Sequence, residues 1–323
     1  MTLNTKTQFP PCVAIIIAAY NSEKTIARAI QSALAEHEVA EVIVVDDAST
    51  DDTVKNAMEA KDGSGRLRVL VQPENAGPSA ARNRAIRESK APWLGILDAD
   101  DFLLSGRTQA LLPYADEADF VADDLWQVSE ENIDGPRRSL LGEALQSPRA
   151  ISFSEFVLGN VTKKGRSRGE LGFIKPLMRR AFLELHGISY LEHMRLGEDY
   201  ELYARALAKG ARLLLAPAQG YVSVTRKNSL SALHSEADLL YLRDCDDALM
   251  RMPSLSKEDR AALRQHYLSV DCRLQWRLLI NAVKQRNAVA AVRTFMRPYP
   301  VALSNMQLLL EQVFVRTFRR KRG

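Results

Sequence analysis

Apolar residues in the first 226 positions fall into short continuous runs separated by stretches with helical spacing. Val13 to Ala19 is the first such run, the pattern of a strand buried on both faces of a parallel sheet. Asn21 and Ser22 follow as candidate helix caps, and Ile26, Ala29, Ile30, Ala33 and Leu34 then recur along one helical face. Glu41 to Val45 predicts a second strand ending at Asp46 and Asp47, with Ser49, Thr50 and Asp51 as caps for a helix through about Glu59. Arg66 to Val71 reads as a third strand. Pro78 stands where a helix's first turn tolerates it, and that helix runs to about Glu88. Trp93 to Leu97 is a fourth strand and ends in Asp98-Ala99-Asp100-Asp101. A helix over roughly Ser105 to Tyr114 and a strand through Phe120 and Val121 keep the rhythm.

Strands alternating with helices in this way predict an α/β fold with a mostly parallel sheet and right-handed crossovers. Ligands of such sheets sit beyond the carboxyl ends of the strands. Tyr20-Asn21, Asp46-Asp47 and Asp98 to Asp101 should therefore share one rim. From Gln127 to Gly172 the pattern weakens into a long excursion with one short helix near Ser154. Helices return near Arg179 to Leu185 and after Glu198-Asp199, with strands over Arg212 to Leu215 and Gly220 to Val224. Beyond about His234 the chain reads as helical almost throughout. The expected domains are residues 1–233 and a helical extension, 234–323.

Composition narrows the class. Of 323 residues, 46% are hydrophobic and 26% charged, which is ordinary globular usage and excludes a disordered or collagen-like chain. The net charge is +4, but Arg316, Arg319, Arg320, Lys321 and Arg322 carry five positive charges at the C-terminus, and without them the remainder carries −1. A nucleic-acid-binding protein is expected to spread positive charge over a folded face, so no nucleic-acid partner is expected. Cys12, Cys245 and Cys272 are scattered, which argues against a disulfide framework or a zinc site. The start lacks the apolar stretch of a secretory leader, and no apolar run approaches the ~18 residues of a membrane span. A cytoplasmic protein, soluble or peripheral, is expected.

Three constellations carry candidate chemistry. Asp98, Asp100 and Asp101 at a strand end repel one another unless a cation or hydrogen-bond donors compensate, and Mg2+ or Mn2+ with a substrate phosphate is one such compensator. A helix-start acid cluster favoured by the macrodipole is the plainer account. Asp46 and Asp47 can accept a hydrogen bond from a base or ribose, or can serve as caps. Gly197-Glu198-Asp199 opens a helix, where a carboxylate can act as a general base or merely complement the dipole. Arg82 lies about one turn into the helix after Asn75-Ala76-Gly77 and is available for an anion. No GxxxxGK[ST] loop exists, and no GxGxxG follows the first strand, which counts against P-loop hydrolysis and dinucleotide binding. His186, His193 and His234 have no metal-ligand spacing. Asp123-Asp124-Leu125-Trp126, Arg205, Tyr221 and Arg226 are further candidates for contact with sugar or acceptor.

Taken together, Pro11 to Asn21, Val45 to Asp51, Asn75 to Gly77 with Ala81-Arg82-Asn83, Leu97 to Asp101 and Gly197 to Asp199 resemble the family 2 glycosyltransferases, in the family's order over about residues 11 to 226. The likeness extends to bacterial members that build exopolysaccharide, including succinoglycan glucosyltransferases. It implies the GT-A fold, a Rossmann-like sheet flanked by helices, and an inverting transfer from a UDP-sugar. By resemblance, Tyr20 stacks on the uracil, Asp47 hydrogen-bonds it and Arg82 belongs to the donor site. Asp98 lies near the ribose, Asp100 binds a divalent metal with Asp101 adjacent, and Asp199 is the base, with Glu198 one residue away as its alternate. Gln275-Trp276-Arg277 is not the Gln-x-x-Arg-Trp motif of processive synthases, so transfer of one sugar is expected, glucose first among the candidates. The resemblance further implies a saccharide or lipid-linked oligosaccharide acceptor. The basic run from Arg316 to Arg322, beside an apolar stripe, then reads either as an inner-membrane contact or as a solvated helix end. Two competing readings are a sugar-1-phosphate nucleotidyltransferase, which wants a Gly-rich basic loop that Ala18 to Asn21 is not, and a non-catalytic receiver-type module.

Overall fold

The computed structural model describes residues 9–142, 145–161, 171–226 and 235–320, with side chains through residue 312. Its chain divides into two compact units, Met1–Ser229 and Leu230–Gly323. The strands of the first unit are β1 (Val13–Ala19), β2 (Val39–Asp46), β3 (Leu67–Val71), β4 (Trp93–Ile96), β5 (Phe102–Leu103), β6 (Phe120–Asp123), β7 (Trp126–Ser129), β8 (Arg138–Ser139), β9 (Arg149–Ile151), β10 (Leu177–Arg179), β11 (Leu213–Ala216) and β12 (Tyr221–Thr225). Its helices are α1 (Ile26–Leu34), α2 (Thr53–Glu59), α3 (Pro78–Glu88), α4 (Arg107–Leu111), α5 (Phe153–Gly159), α6 (Arg180–Leu185) and α7 (Glu198–Ala208).

One sheet runs in the order β3-β2-β1-β4-β10-β6-β11-β9, and β3, β2, β1 and β4 are mutually parallel. The near-total burial of β1, β2 and β4 explains their apolar runs, whereas β3 at the sheet's edge is only partly buried: Val13, Ile15, Ile17, Val42 and Val44 face into one core with Ile26, Ile30 and Leu34 of α1. β9 and β10 are the strands of this sheet that periodicity did not reveal. β10 enters antiparallel between β4 and β6, and only its last residue, Arg179, falls within the helix expected from Arg179 to Leu185. A second, smaller sheet runs in the order β5-β12-β7-β8.

Two expected caps are replaced by another device. The residue at the α1 N-cap is Thr25, without a side-chain cap, and Asn21 and Ser22 instead tie the β1–α1 loop to the β2–α2 loop. Asn21 takes a left-handed conformation at φ 47°. Its N–H donates to Ser49 Oγ at 2.9 Å and its Oδ1 accepts from Thr50 N–H at 2.9 Å, while Ser22 N–H donates to Thr53 Oγ1 at 2.6 Å. Short polar side chains that suit caps also suit such cross-loop bonds, and here the rim is made rigid by them.

Gly95, in the middle of β4, is required by close approach. A Cβ there would stand 2.9 Å from Ile15 Cδ1 and 3.2 Å from Leu177 Cδ2. Gly95→Val is expected to destabilise the fold by about 1–3 kcal/mol through overpacking, read as a lower urea midpoint at unchanged slope.

The second unit is helical: α8 (Glu236–Met250), α9 (Lys257–Lys284), α10 (Ala288–Arg293) and α11 (Tyr299–Arg320). Capping boxes open α8 at Ser235 with Asp238 and α9 at Ser256 with Asp259, which explains their sharp starts. Leu239, Leu242, Leu249, Leu263, Val270 and Leu274 are buried in this unit, and His266 Nδ1 stands 2.7 Å from Asp246 Oδ2 inside it. No helix among the described residues is long and apolar enough to cross a membrane. His234 and the side chains of Arg316 to Arg322 lie outside the described residues.

Candidate active site

The rim joins acids that are a hundred residues apart in sequence. Asp98, just past β4, accepts from Arg82 Nη2 at 2.8 Å through Oδ1 and meets Lys175 Nζ at 3.0 Å through Oδ2. Arg82 reaches from the first turns of α3 and also donates through Nη1 to Glu198 Oε1 at 2.9 Å, with Asp199 Oδ1 at 3.5 Å. Lys175 closes the circuit by donating to Asp199 Oδ2 at 2.6 Å, and the Tyr190 hydroxyl donates to Asp199 Oδ1 at 2.9 Å. Two cations are thus enclosed by three carboxylates, with Arg82 and Lys175 buried. Burial alone would raise the Asp98 carboxyl, but Lys175 and then Arg82 hold it well below the usual carboxylate range. Burial works against the Lys175 ammonium in the same way, yet Asp199 and Asp98 push it above its ordinary value.

Gly197 allows this convergence. It occupies the α7 N-cap at φ 71°, ψ 19°, a left-handed turn that aims Glu198 and Asp199 back toward β4.

The other two acids of the β4 terminus have different surroundings. Asp101 is buried: its Oδ2 accepts from the Tyr221 hydroxyl at 2.9 Å and its Oδ1 from Val224 N–H at 2.8 Å, so it fastens β12 to the rim. Burial first, then the charges of Asp98 and Asp100, push its carboxyl well up. Asp100 is the most open of the three, facing Arg226 Nη2 at 3.6 Å, and its own carbonyl accepts from Arg28 Nη2 at 2.6 Å. Its carboxyl is pushed up by burial and then by Asp98, with Arg226 pulling the other way. Among the described residues no group of three His, Cys, Asp or Glu side chains converges as a metal site. The donor set fits a divalent ion only as a shared one: a single carboxylate, Asp100, with the remaining oxygens from substrate phosphate and water, the usual manner of Mg2+.

Tyr20, at the end of β1, is half-exposed and offers an aromatic face. Asp47, just past β2, is buried and organises the next loop. Its Oδ1 accepts from Gln72 Nε2 at 2.6 Å and Ala76 N–H at 2.8 Å, and its Oδ2 from Gly77 N–H at 2.8 Å. Gly77, at φ 90°, makes the turn that feeds Pro78 into α3 and so places Arg82. Beside it, Asp46 Oδ1 is buried with no hydrogen-bond partner, while Oδ2 accepts from Ser49 N–H at 2.9 Å.

Comparison with known proteins decides the family. The model of Glycosyl transferase family 2 matches residues 14–185, more than half the chain. The chain belongs to glycosyl transferase family 2. It is 47% identical over 277 residues to succinoglycan biosynthesis protein ExoU of Rhizobium meliloti (strain 1021), covering 86% of this chain and 80% of that protein. Among solved structures, S. aureus TarS 1-349 in complex with UDP-GlcNAc matches with a TM-score of 0.62 at 17% identity, over 92% of each chain. Mannosyltransferase PcManGT from Pyrobaculum calidifontis, in complex with GDP-Man and Mn2+, matches with a TM-score of 0.59 at 17% identity, over 97% of this chain and 88% of that one. These neighbours share the GT-A fold. The protein is a glycosyltransferase, and the nucleotidyltransferase and receiver-type readings fall away.

Several residues of this glycosyltransferase were not legible as site members. Lys175 and Tyr190 are isolated in the sequence, and only the insertion of β10 beside β4 carries Lys175 to Asp98. Other candidates turn out to hold the scaffold. Asp123 is fully buried against Arg107, whose Nε and Nη2 donate to Oδ1 at 2.9 and 2.8 Å. Its Oδ2 accepts from the N–H groups of Gln219 and Gly220 at 3.0 Å each. Asp124 accepts from Leu125 N–H at 2.7 Å and from the Ser139 hydroxyl. Arg205 pairs with Glu201 at 2.7 Å on the same helix, whereas Arg226 does reach the rim through Asp100. Arg107 has an indirect part, since its Nη2 also donates to the Lys175 carbonyl and its guanidinium lies 5.3 Å from the Tyr221 ring centroid.

Proposed function

We propose that this glycosyltransferase moves one sugar, glucose first among the candidates, from a UDP-sugar to a saccharide or lipid-linked oligosaccharide in bacterial exopolysaccharide synthesis. The observation that carries the reading is the ion network in which Lys175 and Arg82 bridge Asp98 at the sheet's carboxyl end to Asp199 at the start of α7. It sets an acid suited to the donor and an acid suited to the acceptor on either side of one pair of cations. The likeness to ExoU supports the exopolysaccharide setting. We assign residues 1–233 as the catalytic domain and 234–323 as a helical extension, working at the cytoplasmic side, with the Arg316 to Arg322 run as a peripheral membrane contact.

In this reading Tyr20 stacks on the uracil. Asp47 shapes the Ala76–Gly77 turn and keeps acceptor capacity on Oδ2 for the base. Asp98 lies toward the ribose, its charge offset by Arg82 and Lys175. Asp100, with Asp101 next to it in the chain fastening β12, is the carboxylate that would hold Mg2+ or Mn2+. When bound, such an ion supplies Lewis-acid stabilisation to the leaving diphosphate. Asp199 accepts the proton of the acceptor hydroxyl as its oxygen bonds to the anomeric carbon and the bond from that carbon to the UDP oxygen breaks. A single displacement of this kind inverts the centre and releases UDP carrying the bonding electron pair. Positioning of that carboxylate contributes about 10²–10⁴ in rate.

Calorimetric titration of UDP, UDP-glucose and GDP with and without Mn2+, on the wild type and Asp100→Ala, tests the donor site. Uridine nucleotides are expected to bind in a Mn2+-dependent manner and to weaken at least about tenfold in the variant, a loss of about 1.4 kcal/mol. A folded protein that binds no uridine nucleotide with Mn2+ present would remove the donor assignments.

A further inference from the structure

The charge asymmetry is wider than the terminal run of arginines. From Cys272 to Gly323 the chain has eleven Lys and Arg against one acid, Glu311, whereas residues 1–271 hold the other 33 Lys and Arg against 39 Asp and Glu. Between Asp271 and Glu311 there is no acid at all. In the same interval, large apolar side chains stand in water. Val283, Val289, Val292, Met296 and Tyr299 are 60–77% exposed, and α10 contains no buried residue. Lys284, Arg286 and Arg293 are exposed among them. Single exposed apolar residues are ordinary on protein surfaces, but five within 17 residues, with charge of one sign, mark an interaction face.

This segment is firmly built on its inner side. Arg286 turns the chain out of α9 at φ 55°, and the Asn287 side chain caps α10 by accepting from Ala290 N–H at 2.9 Å. Thr294, Val301 and Asn305 are buried behind it, with Asn305 Nδ2 donating to the Thr294 carbonyl at 3.1 Å. Arg297 is tied inward to Asp271 at 2.9 Å and takes no part in the outer face. The outer side chains are therefore presented by an ordered backbone.

We propose that Val283 to Tyr299 is a membrane-docking face that seats on an anionic lipid bilayer, with Val289, Val292, Met296 and Tyr299 entering the headgroup–acyl boundary and Lys284, Arg286 and Arg293 meeting lipid phosphates. A bilayer interface is the partner that offers an apolar layer and negative charge at one depth. A second copy packed on the same face would oppose Arg286 and Arg293 to their like, which disfavours a self-complementary dimer. Nucleic acid would satisfy the cations and leave the apolar side chains in water. The face is distinct from the Arg316 to Arg322 run and does not depend on the donor-site reading.

Co-sedimentation of the full-length protein with phosphatidylcholine vesicles, with and without about 30% phosphatidylglycerol, tests it. The wild type is expected to partition onto the anionic vesicles and to weaken as salt rises. Val292→Asp with Met296→Asp, and separately Arg286→Glu with Arg293→Glu, should each lower the partition coefficient at least about tenfold. A variant with Arg319, Arg320, Lys321 and Arg322 all changed to Gln should keep binding that still responds to the Val292 and Met296 changes. Arg286, Val292, Arg293 and Met296 are exposed, and unchanged melting temperatures and far-UV circular dichroism establish that each variant is folded. No partition onto anionic vesicles, or partition indifferent to the Val292 and Met296 substitutions, overturns the proposal. So does a dimer in sedimentation velocity that the same substitutions dissociate.

Discussion

Asp199→Asn is expected to lower kcat by about 10²–10⁴-fold and to leave UDP affinity within about threefold. The substitution keeps the shape of the side chain and removes its ability to take a proton. Tyr190 can still donate to the oxygen at Oδ1, and Lys175 remains paired with Asp98 at 3.0 Å, so the donor side of the rim stays assembled. The amide nitrogen would face the Lys175 ammonium, and a flip of the side chain would relieve that clash only by turning the amide toward Tyr190. Some loss of stability therefore accompanies the loss of rate, and single-turnover measurement with saturating donor separates the two. Glu198→Gln is the control. Glu198 accepts from Arg82 at 2.9 Å and stands at the first position of the same helix. Its loss should affect the placement of Arg82 and cost less in kcat than Asp199→Asn. If Glu198→Gln abolishes turnover while Asp199→Asn retains it, the base is Glu198, one residue earlier.

What the sequence made legible follows from how each feature is encoded. The β1, β2 and β4 strands are buried on both sides, so each appears as an unbroken apolar run, and each ends in polar residues that the parallel sheet must place on one rim. Asp98 and Asp100 were visible for that reason, and Asp199 because it opens a helix directly after Gly197-Glu198. Lys175 was not, because its position depends on β10, a three-residue antiparallel strand between β4 and β6 that is too short to show a period. Asp123 looked like a site residue because it too ends a strand. Its role is decided by Arg107, an arginine from a five-residue helix that folds inward and is fully buried, which no local pattern announces. Asn21 and Ser22 are a milder case. Their residue types were informative, but the same short side chains can cap a helix or bridge two loops, and the choice depends on Ser49 and Thr53 from another segment. Of the small sheet, β12 was legible as the run from Gly220 to Val224, whereas β5, β7 and β8, two to four residues long and paired across a wide stretch of chain, are decided by tertiary contacts.

Lys175→Met is expected to destabilise the catalytic unit by about 3–5 kcal/mol, because it leaves buried carboxylates without one of their two cations. Methionine is unbranched like lysine and only one atom shorter, so the effect reads chiefly charge rather than a cavity. The pH dependence separates the causes. Asp98 has a folded-state value depressed below its unfolded one, so its contribution is fully present above the unfolded value near 3.9 and is lost as pH falls through the folded value. Lys175 is shifted upward, so its contribution is fully present below its unfolded value near 10.4 and is lost as pH rises through the folded one. The gap between wild type and Lys175→Met should therefore be widest from about pH 4 to 10 and narrow on either side. Urea titrations across that range measure it. A gap that stays constant into acid would assign the loss to packing. Adding Asp98→Asn to Lys175→Met should recover part of the stability, since the neutral side chain no longer needs the cation, and the double-mutant cycle then reports the coupling directly. The same double variant keeps the experiment informative if Lys175→Met alone does not fold. Recovery of stability without recovery of turnover would show that the charges of Asp98 and Lys175 are needed for transfer beyond what folding requires.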